Sequence, residues 1–184
     1  MERDQDHLFT QVTWCILGPH GIWQKVAKDM NHKLERGDVT GGITDAQGVK
    51  WTVDLRKMEA CGTGQVTQLK RLENLPDFSL PIYWDNMSQG EVLKVINLDQ
   101  SSAEYQRVKT DFKKTVQKTV LKIQRIQNVH LRQLYEARKK ELENRNDSRV
   151  RSGEKILYHG TTEAACTSIM NTNFNRNFAG QNRN

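Results

Sequence analysis

The segment Leu157-Tyr158-His159-Gly160-Thr161-Thr162 holds the residue types best suited to chemistry. A histidine at the end of a short strand, followed by a residue without Cβ, suits a ligand lying flat against the backbone. The imidazole supplies one neutral hydrogen-bond donor, and the glycine leaves an N–H and a C=O open to a planar amide. A strand-end His-Gly is by itself more often a turn, so its surroundings have to decide. Tryptophans form a second set: Trp14, Trp23 and Trp51. Such rings serve either as core or as stacking surfaces for a flat ligand. Cys15, Cys61 and Cys166 make no CxxC pair and are odd in number, which points to plain thiols in a reducing compartment, with no metal site.

These residues need elements to hold them. Thr13-Trp14-Cys15-Ile16-Leu17 reads as a short strand, Gly18-Pro19-His20-Gly21 as a turn, and residues 22–26 as the return strand of a hairpin. Val26, Met30 and Leu34 recur every four residues on a short helix that stops near Gly37. Val49, Trp51, Val53 and Leu55 alternate with polar neighbours as a half-buried strand does, and Gly62-Thr63-Gly64 turns into a further strand over 66–72. Residues 74–87, with Pro76 and Pro81, form a linker. Beyond it, Tyr105, Val108, Phe112 and Val116 share a face of a helix begun by Ser101-Ser102, and a strand runs through 120–127. A charged helix follows, expected to turn Leu131, Leu134, Tyr135 and Leu142 inward. A short strand, Ile156-Leu157-Tyr158, leads into His159, and Thr162 caps a helix over 164–170.

The chain has 184 residues, and 36% hydrophobic with 27% charged content excludes a wholly disordered chain. No apolar run reaches the roughly 20 residues of a membrane helix, and the N-terminal residues carry no secretory pattern. The expectation is a cytosolic or nuclear protein with no membrane contact. The net charge of +6 is uneven: residues 1–100 hold 11 basic against 14 acidic side chains, and residues 101–184 hold 17 against 8. A basic second half can attract nucleic acid or an anionic cofactor. Arg138-Lys139-Lys140, followed at once by Glu141 and Glu143, is better read as a solvated helix face, so nucleic acid is not the expected partner.

Order along the chain narrows the chemistry. Ile123-x-x-Ile126-Gln127-Asn128, a charged helix, the His159-Gly160-Thr161 strand and then Phe174-Asn175-Arg176-Asn177-Phe178-Ala179-Gly180 follow one another. This succession resembles the catalytic domain of the poly(ADP-ribose) polymerase superfamily, and its last segment looks most like the macrodomain-containing mono-ADP-ribosyltransferases. The resemblance implies an NAD+ protein ADP-ribosyltransferase, a pentosyl-transferring enzyme with NAD as substrate and proteins as acceptors. It implies that His159, the catalytic candidate, donates to the 2′-hydroxyl of the nicotinamide ribose. Gly160 would pair through its backbone with the carboxamide, with Tyr158 beside the site, Thr161 near the adenosine ribose and Arg176 lining the adenine side. Nicotinamide would leave through an oxocarbenium-like transition state, as in glycosyl transfer. Two departures stand out. Asn173 occupies a position where relatives usually carry glycine, and is expected in a left-handed conformation. The chain also stops at Asn184, before the family's later catalytic positions, so the chain alone is expected to be inactive, and its residues do not decide between mono-transfer and polymer synthesis.

Residues 8–73, with hairpin, helix and Trp51 strand in that order, resemble the WWE domain. Trp14 and Trp23 match its two tryptophans and Glu35 its acid. The resemblance implies a small half-barrel sheet packed on one helix that binds ADP-ribose-type ligands, either ADP-ribosylated proteins or free ADP-ribose or ATP. Trp23 and Trp51 are the aromatic candidates. Ala60 and Thr67 fall where strong readers carry glutamine and arginine, so Gln65, Gln68 and Lys70 are expected to substitute. The whole chain is then α+β: a WWE domain at 8–73, a linker at 74–87, and an incomplete ADP-ribosyltransferase domain at 88–184. The alternative is an interaction or ADP-ribose-reader module without enzymatic activity.

Overall fold

A computed structural model describes residues 11–75, 78–145 and 154–174. The chain divides into two compact units, one of residues 1–88 with 98–123 and one of 89–97 with 124–184.

The first unit is built outward from β1 (Val12–Leu17), whose Val12, Trp14, Cys15 and Ile16 are all buried. Its partners are β2 (Trp23–Lys25) on one side and β6 (Gln65–Glu73) on the other. With β3 (Ile43–Thr44), β4 (Lys50–Asp54) and β5 (Glu59–Gly62) they make one curled antiparallel sheet, ordered β2-β1-β6-β5-β4-β3. The hairpin, the Trp51 strand and the 66–72 strand stand where periodicity puts them; β3 and β5 were not foreseen. Two to four residues are too short to display a period, and both strands are recognisable only from their pairing to β4 and β6.

The inner face packs on α1 (Lys28–Glu35), with Leu34 sealed against Val12, Trp14, Ile16, Val53 and Leu69. Asn31 is buried beside it: its amide oxygen accepts from the Trp14 N–H at 2.7 Å and its amide nitrogen donates to the Val12 carbonyl at 3.1 Å. β2 pairs only with Cys15, Ile16 and Leu17, so Asn31 satisfies strand groups that β2 does not reach and pins the helix to β1.

The sheet is covered on its other face too. Cys15, Lys70 and Leu72 point there by strand alternation. Lys70 donates from Nζ to the carbonyls of Ile82 and of Trp84, the latter at 3.2 Å. Asn86 accepts from the Glu73 N–H and donates to the Arg71 carbonyl. The stretch expected to be a linker is thus strapped along β6, with Leu80 and Trp84 buried. Burial pushes the Cys15 thiol up, against the opposing pull of Lys70 and Lys25. α2 (Ala103–Thr115) also belongs to this unit, capped by the Ser102 hydroxyl, which accepts from the Tyr105 N–H.

The second unit pairs β7 (Leu93–Asn97) with β8 (Gln124–Asn128), followed by α3 (Val129–Arg145) and α4 (Glu163–Thr172). Asn128 ties them together: Oδ1 accepts from the Leu131 N–H and Nδ2 donates to the Met170 carbonyl. Thr162 caps α4 as expected, accepting from the Ala165 N–H.

Two expectations fail here. Leu134, Tyr135 and Leu142 are exposed rather than inward, because the described residues of this unit place no layer over that side of α3. Ile156-Leu157-Tyr158 is not a strand; Ile156 and Leu157 stand in solvent, Tyr158 is half exposed, and no described segment pairs with them in a ladder. The salt bridges Arg132–Glu136, Arg138–Glu141 and Arg145–Glu141 do agree with a solvated, charge-laced face on α3.

Asn173 ends α4 at φ 72 and ψ 179. The positive φ is as expected, but ψ is extended, a region almost reserved for glycine. Its side chain partly compensates by accepting from the Phe174 N–H at 2.8 Å. Asn173→Gly is therefore expected to stabilise the end of α4 by about 1 kcal/mol. Amide hydrogen exchange across 163–173 should slow in the variant; faster exchange would mean that the Asn173 side-chain bond outweighs the backbone strain.

Candidate functional site

In the second unit His159 and Gly160 lie in an irregular, exposed run ahead of α4. The His159 ring meets Phe174 edge to face, centroids 5.1 Å apart at 82°, so the C-terminal end of α4 orients the imidazole. A Cβ built on Gly160 would meet nothing within 4 Å, which leaves that backbone open to a ligand. Tyr158 is half exposed and Thr161 exposed beside it. Arg176 lies outside the described residues. The group therefore presents one side of a site: an oriented imidazole next to an accessible peptide.

In the first unit a cavity of about 580 Å³ opens at the end of the curled sheet. Trp51 and Val49 form one wall, Ile16 and Leu17 another, and Gln65, Val66 and Thr67 of β6 a third. Trp51 is held from three directions. Its indole Nε1 donates to Asp45 Oδ2 at 2.8 Å, and the other Asp45 oxygen accepts from the Gln47 and Val49 N–H groups at 2.9 Å each. A Cβ on Gly62 would come within 2.9 Å of the Trp51 ring, so the missing side chain lets the ring lie against β5. Gly42, at φ 70, lies directly against the Trp51 carbonyl. Burial pushes the Asp45 carboxyl up, but the bonds from Trp51, Val49 and Gln47 outweigh it and hold the group below its ordinary value.

Of the aromatic and polar residues expected to bind, Trp51 and Gln65 line this cavity. Trp23, Gln68 and Lys70 do not. Lys70 sits with Nζ 4.3 Å from the Trp23 ring centroid, on the sheet face opposite the core. Side chains alternate along β6, so Gln65 and Thr67 share one face while Gln68 and Lys70 share the other. The residues overlooked are Asp45, Gln47 and Gln24, which also line it. Asp45-x-x-Gly48 is a turn signature that could have flagged a carboxylate close to Trp51.

Glu35 has a different place. It accepts from Trp14 Nε1 at 2.9 Å and from Arg71 through Nε at 3.0 Å and Nη2 at 2.6 Å. The Arg71 bonds hold its carboxyl below the ordinary value against the desolvation that raises it, with Trp14 adding to the lowering. This cluster clamps α1 to β1 and β6 and takes no part in the cavity.

Residues 102–183, which include His159 and Gly160, match the family of the poly(ADP-ribose) polymerase catalytic domain. This segment is thus similar to the ADP-ribosyltransferase catalytic domain. Protein mono-ADP-ribosyltransferase PARP14 of Homo sapiens is 33% identical over 72% of the chain, and PARP11 of Mus musculus is 25% identical over 93%. PARP12 of Mus musculus is 35% identical over 55%. The chain spans 7%, 59% and 14% of the lengths of these three proteins. A match over 93% of the chain takes in residues of the curled sheet as well as residues of the 102–183 segment.

Proposed function

We propose that this chain is part of a NAD-dependent protein mono-ADP-ribosyltransferase, in which a WWE-type module that takes an ADP-ribose-type ligand precedes the catalytic segment. The cavity walled by Trp51 carries the proposal for the module. Its volume of about 580 Å³ lies within the range of small-ligand sites, and it combines one flat ring with several amides. His159, oriented by Phe174, with the open peptide of Gly160, supports the nicotinamide side of a NAD site. Tyr158 and Thr161 flank it, and Arg176 is proposed for the adenine side. Acceptors would be proteins, by the names of the relatives. Subfamily kinship with the macrodomain-containing enzymes and a cytoplasmic or nuclear location belong to the same proposal. Positioning of the ribose and the leaving amide would be the main catalytic task.

All four tryptophans lie before residue 88, so their fluorescence reports the first unit of the intact chain. Titration with ADP-ribose is expected to quench it, and Trp51→Ala to remove the response. A flat titration, or full quenching in Trp51→Ala, would sink the reader assignment. For transfer, the same segment carried in its complete catalytic domain should label protein acceptors from NAD, and His159→Ala should lose at least about 100-fold in rate. An unchanged rate there would remove His159 from the mechanism.

A further inference from the structure

We infer that α2 and the loop after it form a docking surface for an acidic segment of a partner protein. The inference depends neither on the ADP-ribose reading of the Trp51 cavity nor on the transfer chemistry.

Residues 107–122 carry six basic side chains, Arg107, Lys109, Lys113, Lys114, Lys118 and Lys122, against one acid, Asp111. The charged helix α3 is different: Arg132, Arg138 and Arg145 each pair with a glutamate one turn away, which leaves a balanced face. On α2, Asp111 meets Lys114 at 2.7 Å, and the other five cations have no carboxylate partner among the described residues.

Helical spacing turns this charge to one side. Tyr105 is buried, with Val108 and Phe112 half-buried on the same face, while Arg107, Thr110 and Lys114 are exposed on the other. Past the helix the backbone folds back. Lys113 Nζ donates to the Lys118 carbonyl at 2.7 Å, and Gln117 Nε2 donates to the Lys113 carbonyl at 3.0 Å. Lys118 is thereby held beside the end of α2, so like charges are gathered rather than spread. Lys113 and Lys114 complement the negative end of the helix, but Arg107, nearer the positive end, and Lys118 and Lys122, beyond the helix, gain nothing from that. Their mutual repulsion is relieved when an anion binds among them.

A short acidic peptide fits this surface better than a nucleic acid does. The 13 residues of α2 span only about 20 Å. Residues 1–88 of the same unit hold 10 basic against 12 acidic side chains, so the attraction ends where the patch ends. The two rings within 98–123, Tyr105 and Phe112, are turned inward and offer no base a stacking surface. Leu121, next to Lys122 in sequence and 86% exposed, suits an apolar side chain of a peptide and has no use for a phosphate backbone.

Fluorescence anisotropy of a labelled peptide of about ten residues, glutamates around a central leucine, added to the full chain tests this. The peptide should bind, and added salt should weaken it. Arg107→Gln/Lys118→Gln/Lys122→Gln should weaken binding at least about tenfold, while urea unfolding followed by tryptophan emission stays unchanged. Removing three charges from α3 instead, in Arg138→Gln/Lys140→Gln/Arg145→Gln, should change binding less than about twofold. No binding to the native chain would overturn the inference, and so would equal weakening by both triple variants, since net charge alone would then act. A duplex RNA that binds more tightly than the peptide and is lost in the α2 variant would overturn the assignment to a protein partner.

Discussion

Gly42→Ala is expected to destabilise the first unit by roughly 3 kcal/mol and to abolish ligand binding in the Trp51 cavity. Gly42 has φ 70, where a side chain costs about 1–2 kcal/mol by itself. An added Cβ would also fall 2.1 Å from the Trp51 carbonyl oxygen and 3.0 Å from its carbon. Those are backbone atoms of β4, so no rotamer change relieves the clash. Relief requires moving β3 off β4, and the Ile43–Trp51 pairing anchors the edge of the sheet. Urea unfolding of the full chain followed by tryptophan emission measures the effect. Gly37→Ala is the control, because it shares a positive φ of 73 but its Cβ would meet nothing within 4 Å. Similar losses in both variants would show that φ alone, and not the approach to Trp51, governs this position.

Glu35→Gln should cost the same unit about 2 kcal/mol near neutral pH, since it removes a charge-assisted, two-pronged bond to Arg71 that is about three-quarters shielded from solvent. The remaining exposure of Arg71, 34%, keeps the figure toward the lower end for such pairs. The pH dependence has a definite sign. Glu35 is held below its unfolded value, so its stabilisation is present above the ordinary glutamate range, about pH 4.3, and is lost as pH falls through the lowered folded value. The gap in urea midpoint between the native chain and Glu35→Gln should therefore be full at pH 6–7 and narrow below about pH 4. A gap that stays constant with pH would mean that the carboxylate charge contributes nothing and that Glu35 acts only by shape.

Residues with strong local patterns were legible from the sequence. Trp51 and its alternating neighbours, the Gly62-Thr63-Gly64 turn and the Ser102 and Thr162 caps each depend on a few adjacent residues, and each stands where expected. Asn173 was readable as a positive-φ position because its departure from glycine is local as well. Inward placement of Leu134, Tyr135 and Leu142 was not, since burial depends on what another segment lays over a helix. The same holds for Ile156-Leu157-Tyr158, which has strand residues but forms no strand ladder among the described residues.

For the site the division is similar. Residue types and their order determined the resemblance to ADP-ribosyltransferases and singled out His159, Gly160 and Trp51. Only tertiary structure decided that Lys70 is tied to the strap beyond β6, that Gln68 faces away, and that Asp45 and three glutamines surround Trp51. The reason is geometric. A sequence records which groups are near along the chain, but the cavity joins β1, β4, β6 and the loop at Asp45 across a curled sheet. Which of two alternating faces meets that cavity is fixed by the pairing register, and register is a property of the partners together.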